Sequence, residues 1–298
     1  MRVLALDIGG SFIKYAYCTE GGELVSPSYR PTDAVSRERI LDSITEVMRE
    51  ACDFSAVAVS CAGVIDSNTG VVVQQSGALP LTDGFELASW ITSIVGVPAF
   101  VENDVNCAML GELWKGAARG CQNAAMLTLG TSIGGAIVIN GELYKGSHFG
   151  AGEFGHVTLH PDGKDCCCGR KGCFGAYGSA TALLESVGDI CPGILTCEDT
   201  EALMNASPEL KKRICDWAHE VALGVSGVIH SVDPEIMILG GGIMEKRSLF
   251  ELIKTALSPC LMDAYRDTKL LAADTGNAAG MLGAAYIALK AISGGFGR

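Results

Sequence analysis

Residues 2–19 read RVLALDIGGSFIKYAYCT: an apolar run, a Gly-Gly break and a second apolar run. Two short β-rich runs around a glycine turn predict a hairpin, and EGGEL at 20–24 turns the chain into a third strand. The pattern returns at residues 124–143, AAMLTLGTSIGGAIVINGEL. Asp7-Ile8-Gly9-Gly10-Ser11 falls on Thr128-Leu129-Gly130-Thr131-Ser132, and Gly22-Glu23-Leu24 falls near Gly141-Glu142-Leu143. A repeat at about 120 residues is too long for a solenoid unit. It predicts two similar α/β domains, each opening with a hairpin whose first turn is glycine-rich.

Helical patterns fall between the strand groups. SRERILDSITEVMREAC has apolar residues at helical spacing behind Ser36 as N-cap. AVAVSCAGVID reads as one strand, VNCAMLGELWKGAA and ELKKRICDWAHEVALGVSGVIHSV as helices, and PEIMILGGGI as a strand entering a triple-glycine turn. AAGMLGAAYIALKAI is a closing helix rich in small residues. Alternating strands and helices imply mixed sheets covered by helices. The expected division is residues 1–115, completed by helix 278–293, and residues 116–277. The tail ISGGFGR is expected to fray.

Of the 298 residues, 48% are hydrophobic and 19% charged, enough for a substantial core. The net charge of −12 opposes nucleic-acid binding, because such a surface repels phosphate backbones. No secretory signal or run of 18 apolar residues is present, so a cytoplasmic protein with reduced cysteines is expected. Nine of the thirteen cysteines are scattered, among them Cys18, Cys52, Cys61 and Cys215, and are expected to be small buried hydrophobes.

The other four, Cys166, Cys167, Cys168 and Cys173, crowd into eight positions. With His156 from GAGEFGH, Cys166, Cys168 and Cys173 complete the tetrahedral Cys3His set that zinc favours, and a full protein set means a structural metal. Cys167 is the surplus thiol.

In DIGGSFIK, Gly9 and Gly10 expose backbone N–H groups that suit a phosphate, Ser11 adds a hydroxyl, Lys14 can reach a phosphate, and Asp7 can hold a metal ion through water. The competing explanation is ordinary turn chemistry. Gly130-Thr131-Ser132 repeats the motif, and two such turns facing one another would cradle a polyphosphate. Gly240-Gly241 is placed to lie against a base or ribose. In ENDVNCAMLGE, Asp104 is either a helix N-cap or a general base that takes a proton from a sugar hydroxyl attacking a γ-phosphate.

Together these segments resemble the ROK family of sugar kinases and repressors, over nearly the whole chain. Ser11 stands where threonine is usual and Ser132 where glycine is common. The resemblance implies an actin-like/hexokinase-type (ribonuclease H-like) fold, two α/β domains with an interdomain cleft. It implies ATP with Mg2+ and phosphoryl transfer to a sugar hydroxyl, often at carbon 6, with Asp104 as base. Asn103, Asp104, Glu153 and His156 would bind the sugar, and structural zinc would brace the loop that presents Glu153 and His156. A homodimer is implied too. The repressors carry a DNA-binding segment before the first phosphate motif; with that motif at Asp7, a kinase is expected.

One position departs further. The family pattern reads Gly-Cys-x-Glu, its glutamate contacting the sugar near the anomeric end, whereas this chain has GCFGAYGS with Gly175 in that place. Losing such a hydroxyl partner costs about 1–3 kcal/mol unless something replaces it. The substrate is therefore open to difference at that end; glucose or a glucose-like sugar, with water or another side chain filling the gap, is the leading expectation. A β-glucoside, whose aglycone would use the space at Gly175, is an alternative, supported by the likeness of SGALPLTDGFELASWI to the corresponding part of β-glucoside kinases. N-acetylmannosamine and a non-catalytic sugar-sensing protein are the others.

Overall fold

The computed structural model describes residues 1–75, 77, 79–196 and 199–294. Residues 295–298 of the tail expected to fray, and Ser76 and Ala78 of the β-glucoside-kinase-like stretch, lie outside the described residues.

The chain forms two compact units. Unit 1 comprises Met1–Arg119, Lys145–Ala151 and Asn277–Arg298; unit 2 comprises Gly120–Tyr144 and Gly152–Gly276. The strands of unit 1 are β1 (Arg2–Ile8), β2 (Phe12–Thr19), β3 (Leu24–Pro31), β4 (Val57–Cys61), β5 (Gly63–Asp66), β6 (Val71–Gln75), β7 (Phe85–Glu86) and β8 (Ala99–Asn103). Those of unit 2 are β9 (Ala124–Leu129), β10 (Ile133–Ile139), β11 (Glu142–Leu143), β12 (Ile236–Gly240) and β13 (Lys269–Ala272). The helices are α1 (Arg37–Glu50), α2 (Leu87–Val95), α3 (Asp104–Lys115), α4 (Gly175–Gly178), α5 (Ala180–Val187), α6 (Thr200–Ala206), α7 (Pro208–Val232), α8 (Arg247–Leu257) and α9 (Ala279–Ile292).

The repeat seen in the sequence is a repeat of topology. The main sheet of unit 1 runs β3-β2-β1-β4-β8 and that of unit 2 runs β11-β10-β9-β12-β13. In each, antiparallel strands at one side meet parallel strands at the other. The middle strands are covered on both faces, which is why they read as unbroken apolar runs. In β1, Leu4, Leu6 and Ile8 pack with Ile40, Ile44 and Val47 of α1, while Val3 and Ala5 pack with Met281, Ala285 and Ala288 of α9. Each such Val, Leu, Ile or Met side chain withdrawn from water contributes about 1.5–3 kcal/mol, and an alanine methyl about 0.8 kcal/mol.

Local signals explain the helix ends. Ser36 caps α1 by accepting from the Arg39 N–H. Ser207 caps α7, Pro208 occupies its first turn, and Asp233 closes it in the left-handed region at φ 50°. The small residues of α9 let it lie close on α3: a side chain at Gly283 would strike the Cys107 carbonyl, and one at Gly111 would come within 2.6 Å of the Ala279 carbonyl.

Two expectations need correction. AVAVSCAGVID is two strands, because Gly63 at φ 117° turns the chain out of the main sheet into a second sheet, β5-β6-β7. The scattered cysteines are not uniformly buried: Cys18, Cys61 and Cys107 are, but Cys52 is exposed just past α1 and Cys215 lies half-buried on α7. Among the described residues, no helix is long and apolar enough to cross a membrane.

Candidate functional site

In unit 1 the site residues gather where β1, β4 and β8 end. The Gly9–Ser11 turn is pinned by three hydrogen bonds. Gly9 N–H donates to Phe12 O (3.0 Å), Thr32 Oγ1 to Gly9 O (2.7 Å), and Thr32 N–H to Ser11 O (2.9 Å). Gly10 and Ser11 are exposed beyond it. The strand register sets Asp7 opposite Ser60 and Lys14. Ser60 Oγ donates to Asp7 Oδ1 at 2.6 Å, and Lys14 Nζ lies 3.6 Å from Asp7 Oδ2 and 3.3 Å from Asn277 Oδ1. Lys14, expected to reach for a phosphate, thus stands against Asp7 and Asn277. Gly280 completes the enclosure, since a Cβ there would come within 2.7 Å of Asp7 Oδ1.

The cap of α3 is the neighbour of Asp104, not Asp104 itself. Asn103 is the N-cap of α3, its Oδ1 accepting from Val105 and Asn106 N–H. Asn103 Nδ2 donates to Gly63 O and to Asp104 Oδ1, both at 2.9 Å. All four hydrogen-bonding positions of that amide are used, so a sugar hydroxyl would have to displace one. Asp104 is left as the first residue of the helix, where Val105 N–H also donates to its Oδ1. Burial pushes its carboxyl up to about 6, with the negative charge of Asp7 adding to the rise, against the pull of these hydrogen bonds.

In unit 2 the second turn is held by Gly130 N–H to Ser132 O (2.9 Å) and by Ala180 N–H to Gly130 O (2.9 Å); Thr131 and Ser132 are exposed. The third glycine turn has a local cause. Gly241 sits at φ 92°, and a Cβ on it would strike the Leu129 backbone. A Cβ on Gly240 would meet Met126 Cε at 2.8 Å. The turn after β12 therefore demands glycine at 241, where backbone meets backbone, whereas at 240 the obstacle is the flexible end of a methionine side chain.

The segment carrying Glu153 and His156 is seated through glycines. A Cβ at Gly152 would stand 2.5 Å from Gly135 O of β10, and one at Gly155 would strike Ile133 O. Backbone thus lies on backbone; Phe154 packs against Gly135 and the core, while Glu153 is exposed and His156 half-buried. Only the glycine-richness of GAGEFGH hinted at this, because the partner strand is distant in sequence.

His156, Cys166, Cys168 and Cys173 converge, with one ligand atom of each lying within 4.8 Å of the others. His156 Nδ1 is 3.6 Å from Cys166 Sγ, and Cys168 Sγ is 3.7 Å from Cys173 Sγ. Tetrahedral zinc with Zn–S bonds of about 2.3 Å separates two sulfurs by about 3.8 Å, so the donor set fits. Cys167 stands outside it. His156 Nε2 faces Glu153 Oε2 at 3.9 Å, leaving Nδ1 for the sulfur cluster. Arg170 reaches over the cluster, donating to His156 O at 2.7 Å. Hydrogen bonds from the backbone and side chain of Arg170 hold the Cys168 thiol down at about 6, whereas burial and the neighbouring thiols push Cys173 up to about 12.

Gly175 opens α4 beside Ser132. A Cβ on it would lie 3.3 Å from Ser132 Oγ and 3.3 Å from Gly155 O. The position is therefore not open at its base, and the Ser132 hydroxyl stands against it. Ser60, Glu102, Lys145 and Asn277 are site neighbours missing from the sequence reading. Only Glu102, a carboxylate at the end of the strand AFVEN, carried any signal.

The paired sheets are those of the actin-like, hexokinase-type two-domain α/β class. A glucokinase of the ROK family from Streptomyces griseus, solved with glucose and AMPPNP, superposes with a TM-score of 0.84 at 28% identity, covering 96% of this chain and 99% of that one. A β-glucoside kinase from Klebsiella pneumoniae is 30% identical over 96% of this chain and 95% of its own length. A glucokinase from Thermotoga maritima is 30% identical over 99% of each. The model of the ROK family matches residues 3–291: the chain belongs to the ROK family, and it is an ATP-dependent sugar kinase.

Proposed function

We propose that the enzyme transfers the γ-phosphoryl group of ATP to a hexose hydroxyl, the 6-hydroxyl of glucose or a glucose-like sugar, with Asp104 as general base. One observation carries this assignment. Asp104 is released from capping by Asn103, and burial beside Asp7 raises its carboxyl to about 6, close to the working pH a base needs. It takes the proton of the attacking hydroxyl as the O–P bond forms and the bond to the ADP oxygen breaks. Glu153 and His156 Nε2 are the sugar-facing groups of unit 2, and Asn103 fixes the turn that carries the base. Gly9, Gly10, Ser11 and Lys14 of unit 1, and Gly130, Thr131, Ser132, Gly240 and Gly241 of unit 2, are assigned to the nucleotide. Mg2+ would accompany ATP to neutralise phosphate charge, with Asp7 the carboxylate on offer.

Zinc on His156 Nδ1, Cys166, Cys168 and Cys173 is assigned a structural role. With all four positions filled by protein, what it supplies is rigidity in the segment that presents Glu153 and His156. A homodimer, supported by the family resemblance, is checked by sedimentation.

A second acceptor class is favoured by one observation: no carboxylate projects from position 175. A β-glucoside, which has no free anomeric hydroxyl to bind, would not need one. ADP release with glucose, mannose, N-acetylmannosamine, cellobiose and methyl β-glucoside separates the candidates. Preference for free glucose supports the first assignment, preference for the glucosides replaces it, and silence on every sugar overturns both.

A further inference from the structure

Glu102 is a charge with no sequence-level explanation. It is the penultimate residue of β8, immediately before Asn103 and Asp104, and is only 1% exposed. One carboxylate oxygen does visible work: Oε1 accepts from Asn103 N–H and from Asn106 Nδ2, both at 2.9 Å, bracing the turn on which Asp104 sits. The other, Oε2, accepts no hydrogen bond, and its one ion-pair partner among the described residues is Lys145 Nζ at 3.2 Å.

Lys145 is far away in sequence and opens a segment that unit 1 receives between two stretches of unit 2, Lys145–Ala151. That segment closes on itself, Ala151 N–H donating to Lys145 O at 3.1 Å. The ammonium also donates to Ser67 Oγ at 2.5 Å, which holds it over Glu102. A carboxylate buried this deeply is tolerated when paired and becomes strongly unfavourable when its partner is removed.

We propose that Lys145 is a positioning residue for the Asp104 base: its ammonium compensates the buried carboxylate of Glu102, which in turn holds the 102–106 turn in shape. It touches no reactant. The inference rests on Asp104 as the base, so the test reads the turn directly as well as turnover.

Four full-length proteins are compared: wild type, Lys145→Met, Lys145→Arg and the double variant Glu102→Gln/Lys145→Met. Each is measured for kcat, for KM of sugar and ATP, and for hydrogen exchange of the amides of residues 102–107. Lys145→Met is expected to lower kcat about 100-fold, the usual cost of a small displacement at a reacting group, with both KM values nearly unchanged. Its Val105 and Asn106 amides should exchange faster. Lys145→Arg restores the cation, and the double variant removes the charge that needed it, so both should recover most of the lost kcat and the slow exchange. If Lys145→Met fails to fold while the double variant folds, charge compensation is equally demonstrated. Wild-type kcat in Lys145→Met, or a double variant as slow as Lys145→Met, overturns the proposal; the latter would place the lysine on a reactant. If wild type itself is silent on every sugar, the kinase assignment fails separately, and unchanged exchange in Lys145→Met would still refute the positioning role.

Discussion

The two units share a sheet order, a glycine turn after the first strand and little else at their functional ends. At equivalent register positions, Asp7 of β1 faces Lys14 and Ser60, whereas Thr128 of β9 faces Gly134 and Gly240. Each polar partner in unit 1 is a glycine in unit 2. Unit 1 therefore concentrates charge: Asp7, Lys14, Asp104, and Glu102 with Lys145. Unit 2 concentrates close backbone approach, Gly135 on Gly152 and Gly155 on Ile133, with a cysteine cluster fastening the result. One topology thus supports two kinds of site: one that gathers charge and one that is built by backbone contact.

The sharpest way to break this division is at Asp104. Asp104→Asn is expected to lower turnover by about 10²–10⁴-fold, measured as ADP release, since that is the usual contribution of a general base. In wild type the acid limb of kcat/KM should fall as pH drops through about 6, where Asp104 of the free enzyme takes up its proton. Stability runs the other way. A carboxyl raised in the fold from 3.8 to about 6 costs nothing below 3.8, loses stability as pH rises between the two values, and carries the full cost above. Asn keeps the acceptor for Val105 N–H without the charge, so Asp104→Asn should be more stable than wild type at pH 7.5 by about 1–3 kcal/mol, the partly exposed carboxylate being screened. A variant that is inactive and no more stable would break the electrostatic account while leaving the base in place.

Next in size is the fastening of unit 2. Elemental analysis should find about one zinc per chain, and Cys173→Ser should lose it, because three ligands no longer close a tetrahedron. The expected consequence is a lower Tm and a raised KM for sugar, with KM for ATP little changed. Equal stability with and without the metal would contradict a structural role.

Gly155→Ala probes the backbone seat without touching the metal. Its methyl group has nowhere to go but into Ile133 O, and overpacking of this kind costs about 1–3 kcal/mol, read as a drop in Tm. The smallest effect is expected at two of the three departures from the family pattern, Ser132 and Gly175. Gly175→Glu alone must push aside Ser132 Oγ at 3.3 Å, while Gly175→Glu with Ser132→Gly relieves one of the two contacts. A double-mutant cycle should show coupling of about 0.5–3 kcal/mol in kcat/KM for free glucose; additivity would mean the two positions act independently.

Much of this was legible in advance because its causes are local. Period-2 and 3.6-residue patterning marked the strands and helices, Ser36 announced its own cap, and the repeated Gly-Ser turns revealed the duplicated topology. The Cys/His cluster was readable because three of its four members lie within eight residues. The illegible part depends on register and on contacts across long stretches of chain. Nothing local says that Asp7 pairs with Ser60, that Asn103 rather than Asp104 caps α3, or that Lys145 returns to Glu102.

The amino-acid sequence by itself determined the family, the two-domain α/β class and the inventory of reactive groups, since backbone propensity and ligand chemistry travel with each short segment. Only the tertiary structure decided what state those groups are in. Burial beside Asp7 sets the carboxyl of Asp104, glycine-to-backbone contact sets the perch of Glu153 and His156, and Ser132 stands against the place where Gly175 has no side chain. Desolvation, Coulomb interaction and steric contact depend on distances in space, and those exist only once distant parts of the chain have been brought together.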